Sequence, residues 1–394
     1  MKKRIALLYV KQGFGGVEKI LSDLSLFLDK CGYEVYFFVM DNRNVAYQFS
    51  GKVRKLNYPL KGPWHITYAM VLQNLFLLSH YKRKYKIDVT ISALEYCNIL
   101  NLINFSSSKV ITSSHNHKFQ HEIDPNFRGK LMEWVLSKTL KKSNNIISVS
   151  EAIKTRLVDH YHLPPDIITT IYNAFDIDKI REQSMIPLPS EIESFMTNKT
   201  FVNVSRFVDQ KSLHKLILSF SLLANKYDDA RLVMVGDGEI KDKLKELVNS
   251  LNLQNKVLFT GFLSNPHNIV AKARGFVFTS YFEGFGNVLA EAMAVGTCVI
   301  STDCQAGPRE IIAPGTKGPA DSLEKCEYGI LVKTHNGAWS SEIDDTVIQL
   351  KEAMQLLIED EALYRNYKDQ SLMRSRSFRQ EELYPKWLEI IESC

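Results

Sequence analysis

The chain is 394 residues long, 45% hydrophobic and 24% charged. That length is most simply two domains, and the composition excludes wholesale disorder, collagen-like repeats and a coiled coil. The net charge of +5 is uneven: residues 1–180 hold 25 Lys and Arg against 15 Asp and Glu, the remainder 24 against 29. A basic N-terminal half fits an anionic partner, a membrane surface or phosphates, and equally fits an unevenly charged surface.

Met1-Lys2-Lys3-Arg4 imitates the start of a signal peptide, but the apolar run Ile5–Val10 stops at Lys11, too short for an export segment. It reads as a first strand. No stretch reaches the ~18 apolar residues of a membrane span. The six cysteines (31, 97, 298, 304, 326 and 394) form no C-x-x-C pair, so neither a disulfide framework nor a zinc ribbon is expected. These features together point to the cytoplasm.

Short apolar runs alternate with helical patterns along the chain. Strands are expected at 5–10, 35–40, 89–92, 110–112, 146–149 and 168–171, then at 200–204, 231–235, 257–260, 275–279 and 298–301. Nearly continuous apolar strands separated by helices predict parallel sheets covered on both faces. Residues 176–199, with Pro187 and Pro189, read as a linker carrying a short helix. The fold class is therefore α/β, two doubly wound Rossmann-like domains facing across a cleft. Boundaries are expected at 1–177, 178–376 and 377–394, the last a helix packing back on the N-terminal domain.

After the first strand comes Gly13-Phe14-Gly15-Gly16-Val17-Glu18 and then a helix, an arrangement that places free amides and a helix dipole at one point. A dinucleotide fingerprint would need a third glycine at 18, where Glu18 stands. A phosphate of some other ligand, or a plain turn, fits better. Residues 64–86 carry Trp64, Tyr68, Val71, Leu72, Leu75 and Phe76 at helical spacing, then the basic cluster Lys82, Arg83, Lys84 and Lys86. Either an interfacial helix or a core helix with a solvated basic end has this pattern.

In the second half, four segments stand at expected strand ends: Ser205-Arg206-Phe207-Val208-Asp209-Gln210-Lys211, Val235-Gly236-Asp237-Gly238, Thr260-Gly261-Phe262, and Ser280 to Ala294. Arg206 and Lys211 are two fixed cations able to neutralise a diphosphate. Gly284 and Gly286 admit close approach of a ligand to the backbone. Glu283 and Glu291 are acceptors suited to vicinal hydroxyls.

These motifs resemble those of the retaining glycosyltransferases of family 4, which have the GT-B fold. The resemblance covers the whole chain and leans toward bacterial enzymes of surface-glycan assembly. G-G-V-E-K-x-L resembles that family's G-G-A-E-x-x-L loop. S-R-F-V-D-Q-K resembles G-R-x-x-x-Q-K, with Ser205 for glycine. Glu283 and Glu291 match E-x7-E, and Asp303 with Gly307-Pro308-Arg309-Glu310-Ile311-Ile312 matches the stretch that follows, with Ala306 for a glycine. Ile171 to Asp176 resembles the interdomain segment, with Tyr172 and Ala174 substituted.

The resemblance implies roles. Arg206 and Lys211 hold the diphosphate of a sugar nucleotide, faced from the other domain by the Gly15 and Gly16 amides. Glu291 accepts from the ribose, and the backbone at Phe262 reads the base. Glu283 and the amides of Gly284, Phe285, Gly286, Asn287 and Val288 hold the donor sugar, with His115 near its anomeric carbon. Catalysis is thus assigned to His115, Arg206, Lys211 and Glu283. The donor is expected to be a UDP-sugar carrying a hexose or N-acetylhexosamine, and no cofactor or metal is expected. Transfer with retention goes to a glycan acceptor, expected to be linked to a polyprenyl diphosphate. Peripheral contact with an anionic membrane follows from that acceptor, and no nucleic-acid partner is expected. A UDP-sugar epimerase of the same fold, or a non-catalytic sugar-nucleotide binder, is the alternative.

Three other patterns imitate functional sites. His115, His117, His121 and Glu122 cluster as metal ligands would, but no further donor set completes them. Asp176-Ile177-Asp178 imitates a metal-binding D-x-D and reads instead as surface carboxylates. Glu283 and Glu291 do not flank a bond as glycosidase carboxylates must.

Overall fold

The computed structural model describes all residues except 1, 12–14, 42–46, 58–63, 120, 121 and 123, and only the backbone of 11 and 64–68. Gly13, Phe14 and His121, and the side chains of Trp64 and Tyr68, therefore lie outside the described residues.

Contacts divide the chain into two units, one of residues 1–174 with 383–394, the other of 175–382. The sequence places these divisions at 177/178 and 376/377. The shift has a local cause. Phe175 donates its amide to Phe378 and accepts from Gln380, which ties 175 to the segment before the last helix.

The first unit holds a seven-stranded sheet: β1 (Arg4–Lys11), β2 (Glu34–Asp41), β3 (Lys52–Lys55), β4 (Val89–Ala93), β5 (Lys109–Ser114), β6 (Asn145–Ser148) and β7 (Ile168–Thr170). Its order is β3-β2-β1-β4-β5-β6-β7, and every pairing is parallel. Alternate residues of β1 and β2 face opposite ways, as the period of two requires. Ile5, Leu7, Val35 and Phe37 pack with Leu24 and Leu28 of the helix Gly16–Lys30 and with Leu383, Tyr384, Trp387 and Ile391 of the terminal helix. Ala6, Leu8, Tyr36 and Phe38 pack instead with Leu75 and Leu78 of the helix Trp64–Lys84 and with Cys97 and Leu100 of the helix Glu95–Ile103.

The second unit repeats the plan with β8 (Thr200–Val204), β9 (Arg231–Val235), β10 (Val257–Gly261), β11 (Gly275–Phe278), β12 (Val299–Thr302), β13 (Glu324–Cys326) and β14 (Gly329–Val332). The order is β10-β9-β8-β11-β12-β14-β13, parallel apart from β13, which runs antiparallel to β14. Among the parallel strands of each sheet the order reverses once, between β1 and β4 and between β8 and β11. Ligands of open parallel sheets bind beyond the strand ends at such reversals.

Three strands escape the sequence reading. β3 and β13 are short, charged edge strands, and β14 has only four residues. Residues 176–199 are not a loose linker. They form the helices Ile177–Ser184 and Ser190–Phe195, and Arg181 and Gln183 bond to Ala294 and Asn265 of the same unit. Asp176 caps the first of these helices and Asp178 pairs with Arg379, so the D-x-D imitation has structural work.

Candidate active site

The C-terminal unit gathers its strand-end loops in a row. The loop after β8 carries Arg206 and Lys211, and the loop after the neighbouring β11 carries Glu283. Seventy-two positions separate Lys211 from Glu283, yet their side chains form an ion pair that is largely shielded from solvent. The two loops are laced by main-chain and side-chain bonds. Gln210 donates its amide to the Phe282 carbonyl at 2.9 Å, Tyr281 N–H bonds the Gln210 carbonyl at 3.2 Å, and the Thr279 hydroxyl bonds the Lys211 carbonyl at 2.8 Å. Gln210 is thus a positioning residue, which the sequence offered only as part of a motif. Arg206 lies in the same loop, exposed, and makes no ion pair among the described residues. Its neighbour Phe207 is fully buried and fixes the loop against the turn after β9 through a 2.9 Å bond to the Asp237 carbonyl.

Gly286 starts the helix Asn287–Ala294, whose first amides have no partner within the helix. Glu291 stands one turn inside it, half-buried. The Phe285 ring is buried and packs edge-on against Phe378 with centroids 5.5 Å apart, so only its backbone is left for a ligand. Behind this loop, Gly307 is obligatory. A Cβ there would lie 1.9 Å from the Phe285 carbonyl oxygen. Asp303 is buried and receives Arg309 Nε at 2.8 Å and the Ala320 amide at 2.6 Å, which spends both charges on holding the segment together. Phe262 follows β10, 59% exposed. Two strand spacings separate β10 from β8, roughly 10 Å, so Phe262, Arg206 and Glu283 follow one another along the sheet end.

The N-terminal unit differs in charge. Gly15 caps the helix Gly16–Lys30 in an extended conformation, and a Cβ on it would meet the Glu18 carboxylate at 2.2 Å. The start of that helix is therefore already served by a carboxylate of its own chain, which favours the positive end of the dipole. His115 follows β5, buried, with Nε2 2.8 Å from Ser113 Oγ, and burial pushes its imidazole down to about 4. His117 is held to about 4 by burial and by Arg156, whose Nη1 lies 3.4 Å from Nδ1. A guanidinium at that nitrogen is a poor neighbour for a metal cation, and among the described residues no three His, Cys, Asp or Glu side chains group as metal ligands.

Comparisons with known proteins now bear on this geometry. The family described as Glycosyltransferase Family 4 matches residues 14–179, and that described as Glycosyl transferases group 1 matches 187–371. An uncharacterized glycosyltransferase of Methanocaldococcus jannaschii is 31% identical over 355 residues, 86% of either chain. The N-acetylgalactosamine-N,N'-diacetylbacillosaminyl-diphospho-undecaprenol 4-alpha-N-acetylgalactosaminyltransferase of Campylobacter jejuni is 25% identical over 95% of this chain and 96% of its own. Among solved structures, Anabaena HepE in complex with UDP and glucose superposes with a TM-score of 0.75 at 17% identity, covering 100% of both chains. The chain belongs to the glycosyltransferases of family 4 and has the GT-B fold.

Proposed function

We propose that the enzyme transfers a hexose or N-acetylhexosamine from a UDP-sugar, with retention and without a metal, to a lipid-linked glycan in surface-polysaccharide assembly. The observation that carries this reading is the Lys211–Glu283 pair at the strand reversal, with Arg206 in the same loop. Two fixed cations and a helix N-terminus supply what a departing diphosphate requires, preorganised charge that stabilises the transition state. Glu283 is placed to exchange its bond to Lys211 for sugar hydroxyls once the diphosphate takes the lysine. Glu291 is assigned to the ribose and the backbone at Phe262 to the base. With retention, the acceptor hydroxyl attacks on the face from which UDP departs, and a diphosphate oxygen takes its proton. His115, neutral at physiological pH, then serves as a hydrogen-bonding group.

The donor reading is supported by the UDP and glucose held by the Anabaena relative, and the acceptor reading by the diphospho-undecaprenol named for the Campylobacter one. The test offers purified enzyme a panel of UDP- and GDP-sugars with EDTA and a polyprenyl-diphosphate glycan, following nucleotide release and product anomers by NMR. UDP release with a retained anomer is expected. An inverted anomer or dependence on added Mn²⁺ would overturn the corresponding part.

A further inference from the structure

We propose that the helix Phe127–Thr139, together with the outer edge of the helix Trp64–Lys84, forms a surface that inserts into the interface of an anionic lipid bilayer. The proposal deepens the lipid-linked-acceptor reading and rests on it for its purpose, but different residues carry it.

The helix Phe127–Thr139 buries Gly129, Glu133, Leu136 and Thr139. On the opposite side, helical spacing aligns Phe127, Lys130, Trp134 and Lys138. All four are exposed, Phe127 at 80% and Trp134 at 60%. A scattered exposed aromatic needs no explanation. Here, however, the helix Glu95–Ile103 packs against this helix on one side and against Trp64–Lys84 on the other. The latter exposes Leu72 and Phe76, and Phe105 lies against Phe76 with ring centroids 6.3 Å apart. Five large apolar side chains thus stand exposed on, or in the loop beside, helices that pack against Glu95–Ile103.

Within the two segments that carry them, the exposed charges have one sign. Residues 64–87 contain no Asp or Glu, and residues 125–144 contain only Glu133, which is buried and bonded to His160 at 2.8 Å. Arg83, Lys84, Lys130, Lys138, Lys141 and Lys142 are exposed. Aromatic side chains interleaved with lysines, with no exposed acid in either segment, are the composition of a surface that sits at anionic headgroups. A protein partner would need acidic residues to answer this field, but a phosphatidylglycerol leaflet presents negative phosphates without a specific fit. Lys82 does not belong to the set. The sequence placed it in the basic cluster, but its side chain is buried, donates to Asn101 Oδ1 at 2.6 Å, and has its ammonium pushed down to about 7 by burial.

The test uses the full chain at low salt with neutral vesicles of phosphatidylcholine alone or anionic ones containing about 40% phosphatidylglycerol. Wild type should sediment with the anionic vesicles, release at 1 M salt, and show Trp134 emission quenched by lipids brominated near the headgroup. W134F should lose that quenching. F127A/W134A should reduce partitioning at least about tenfold and K130Q/K138Q about fivefold per lysine, each with unchanged melting midpoint and donor hydrolysis. Equal partitioning to both vesicle types, unmoved by salt or substitution, would overturn the proposal. So would a concentration-dependent dimer abolished by F127A/W134A without vesicle binding, which would assign the face to a second copy. Donor hydrolysis without docking would sink this surface alone, whereas docking with transfer only to soluble acceptors would sink the acceptor reading alone.

Discussion

The strand-end loops of the two units make an instructive contrast. In the C-terminal unit, whose half of the sequence is net acidic, the loops after β8 and β11 present Arg206 and the Lys211–Glu283 pair. In the N-terminal unit, whose half is net basic, the corresponding positions hold a carboxylate at a helix start and two imidazoles kept neutral by burial. Net charge per half therefore describes the outer surface, and the charge a ligand meets is decided by a few residues at the strand ends. Much of the excess of lysine and arginine in the first half stands on helices such as Phe127–Thr139, while Lys118 and Arg156 beside His117 help to keep its imidazole neutral.

The largest expected effect tests where the anion-binding charge resides. Arg206→Ala and Lys211→Ala should each lower turnover at least ~10²-fold, the usual loss for one electrostatic partner of the transition state. His115→Asn should cost less, because a neutral imidazole contributes no charge. Steady-state kinetics with a fixed donor, on variants shown to be folded, would decide. An Arg206→Ala enzyme with full activity, or a His115→Asn enzyme worse than both cation variants, would reverse the contrast.

A smaller effect concerns the neutral imidazoles. In the unfolded chain each titrates near 6.5, whereas burial holds His115, His117 and His214 near 4 in the fold. Their folded values are depressed, so as pH falls below 6.5 the unfolded state takes up protons that the native state refuses. Stability should therefore decline on acidification through the window from 6.5 to about 4. The urea midpoint should already fall between pH 6.5 and 5, above the range where ordinary carboxylates titrate. His117→Gln should flatten that slope by up to one proton. A midpoint that stays level over this interval would show that the histidines charge while folded.

What the sequence revealed depended on how local the signal was. β1, β2 and β8 to β11 are runs of apolar residues whose burial follows from their own composition. β3 (Lys52–Lys55) and β13 (Glu324–Cys326) owe their existence to a neighbouring strand, and nothing within them announces it. Arg206, Lys211, Glu283 and Glu291 were legible because charged residues stood beside glycines at strand ends. The pairing of Lys211 with Glu283 was not, since it follows from the adjacency of β8 and β11, a property of the whole sheet. Lys82 and Phe285 show the opposite failure. Each sits in a stretch whose pattern fits the surface or the ligand, yet each is buried by contacts from distant residues, Asn101 and Phe378.

The smallest expected effect probes the segment that backs the C-terminal loops. Ala306 stands where the family pattern has glycine, and its φ is +67°, the left-handed region that penalises any Cβ. The residue is also buried, and Gln305 beside it bridges to Phe282, so the backbone cannot relax freely. A left-handed alanine costs about 1–2 kcal/mol. Glycine would remove that cost but lose about 0.4–1 kcal/mol through the greater freedom of the unfolded chain. Ala306→Gly should thus stabilise the C-terminal unit by about 0.5–1 kcal/mol, a rise of ~2–3 °C in its melting midpoint for a unit of this size. Calorimetry would detect it. Because the Phe285 carbonyl rests on Gly307 rather than on residue 306, the donor KM should not change. A fall in the midpoint would mean that the Ala306 methyl group contributes more through packing than the backbone loses through strain.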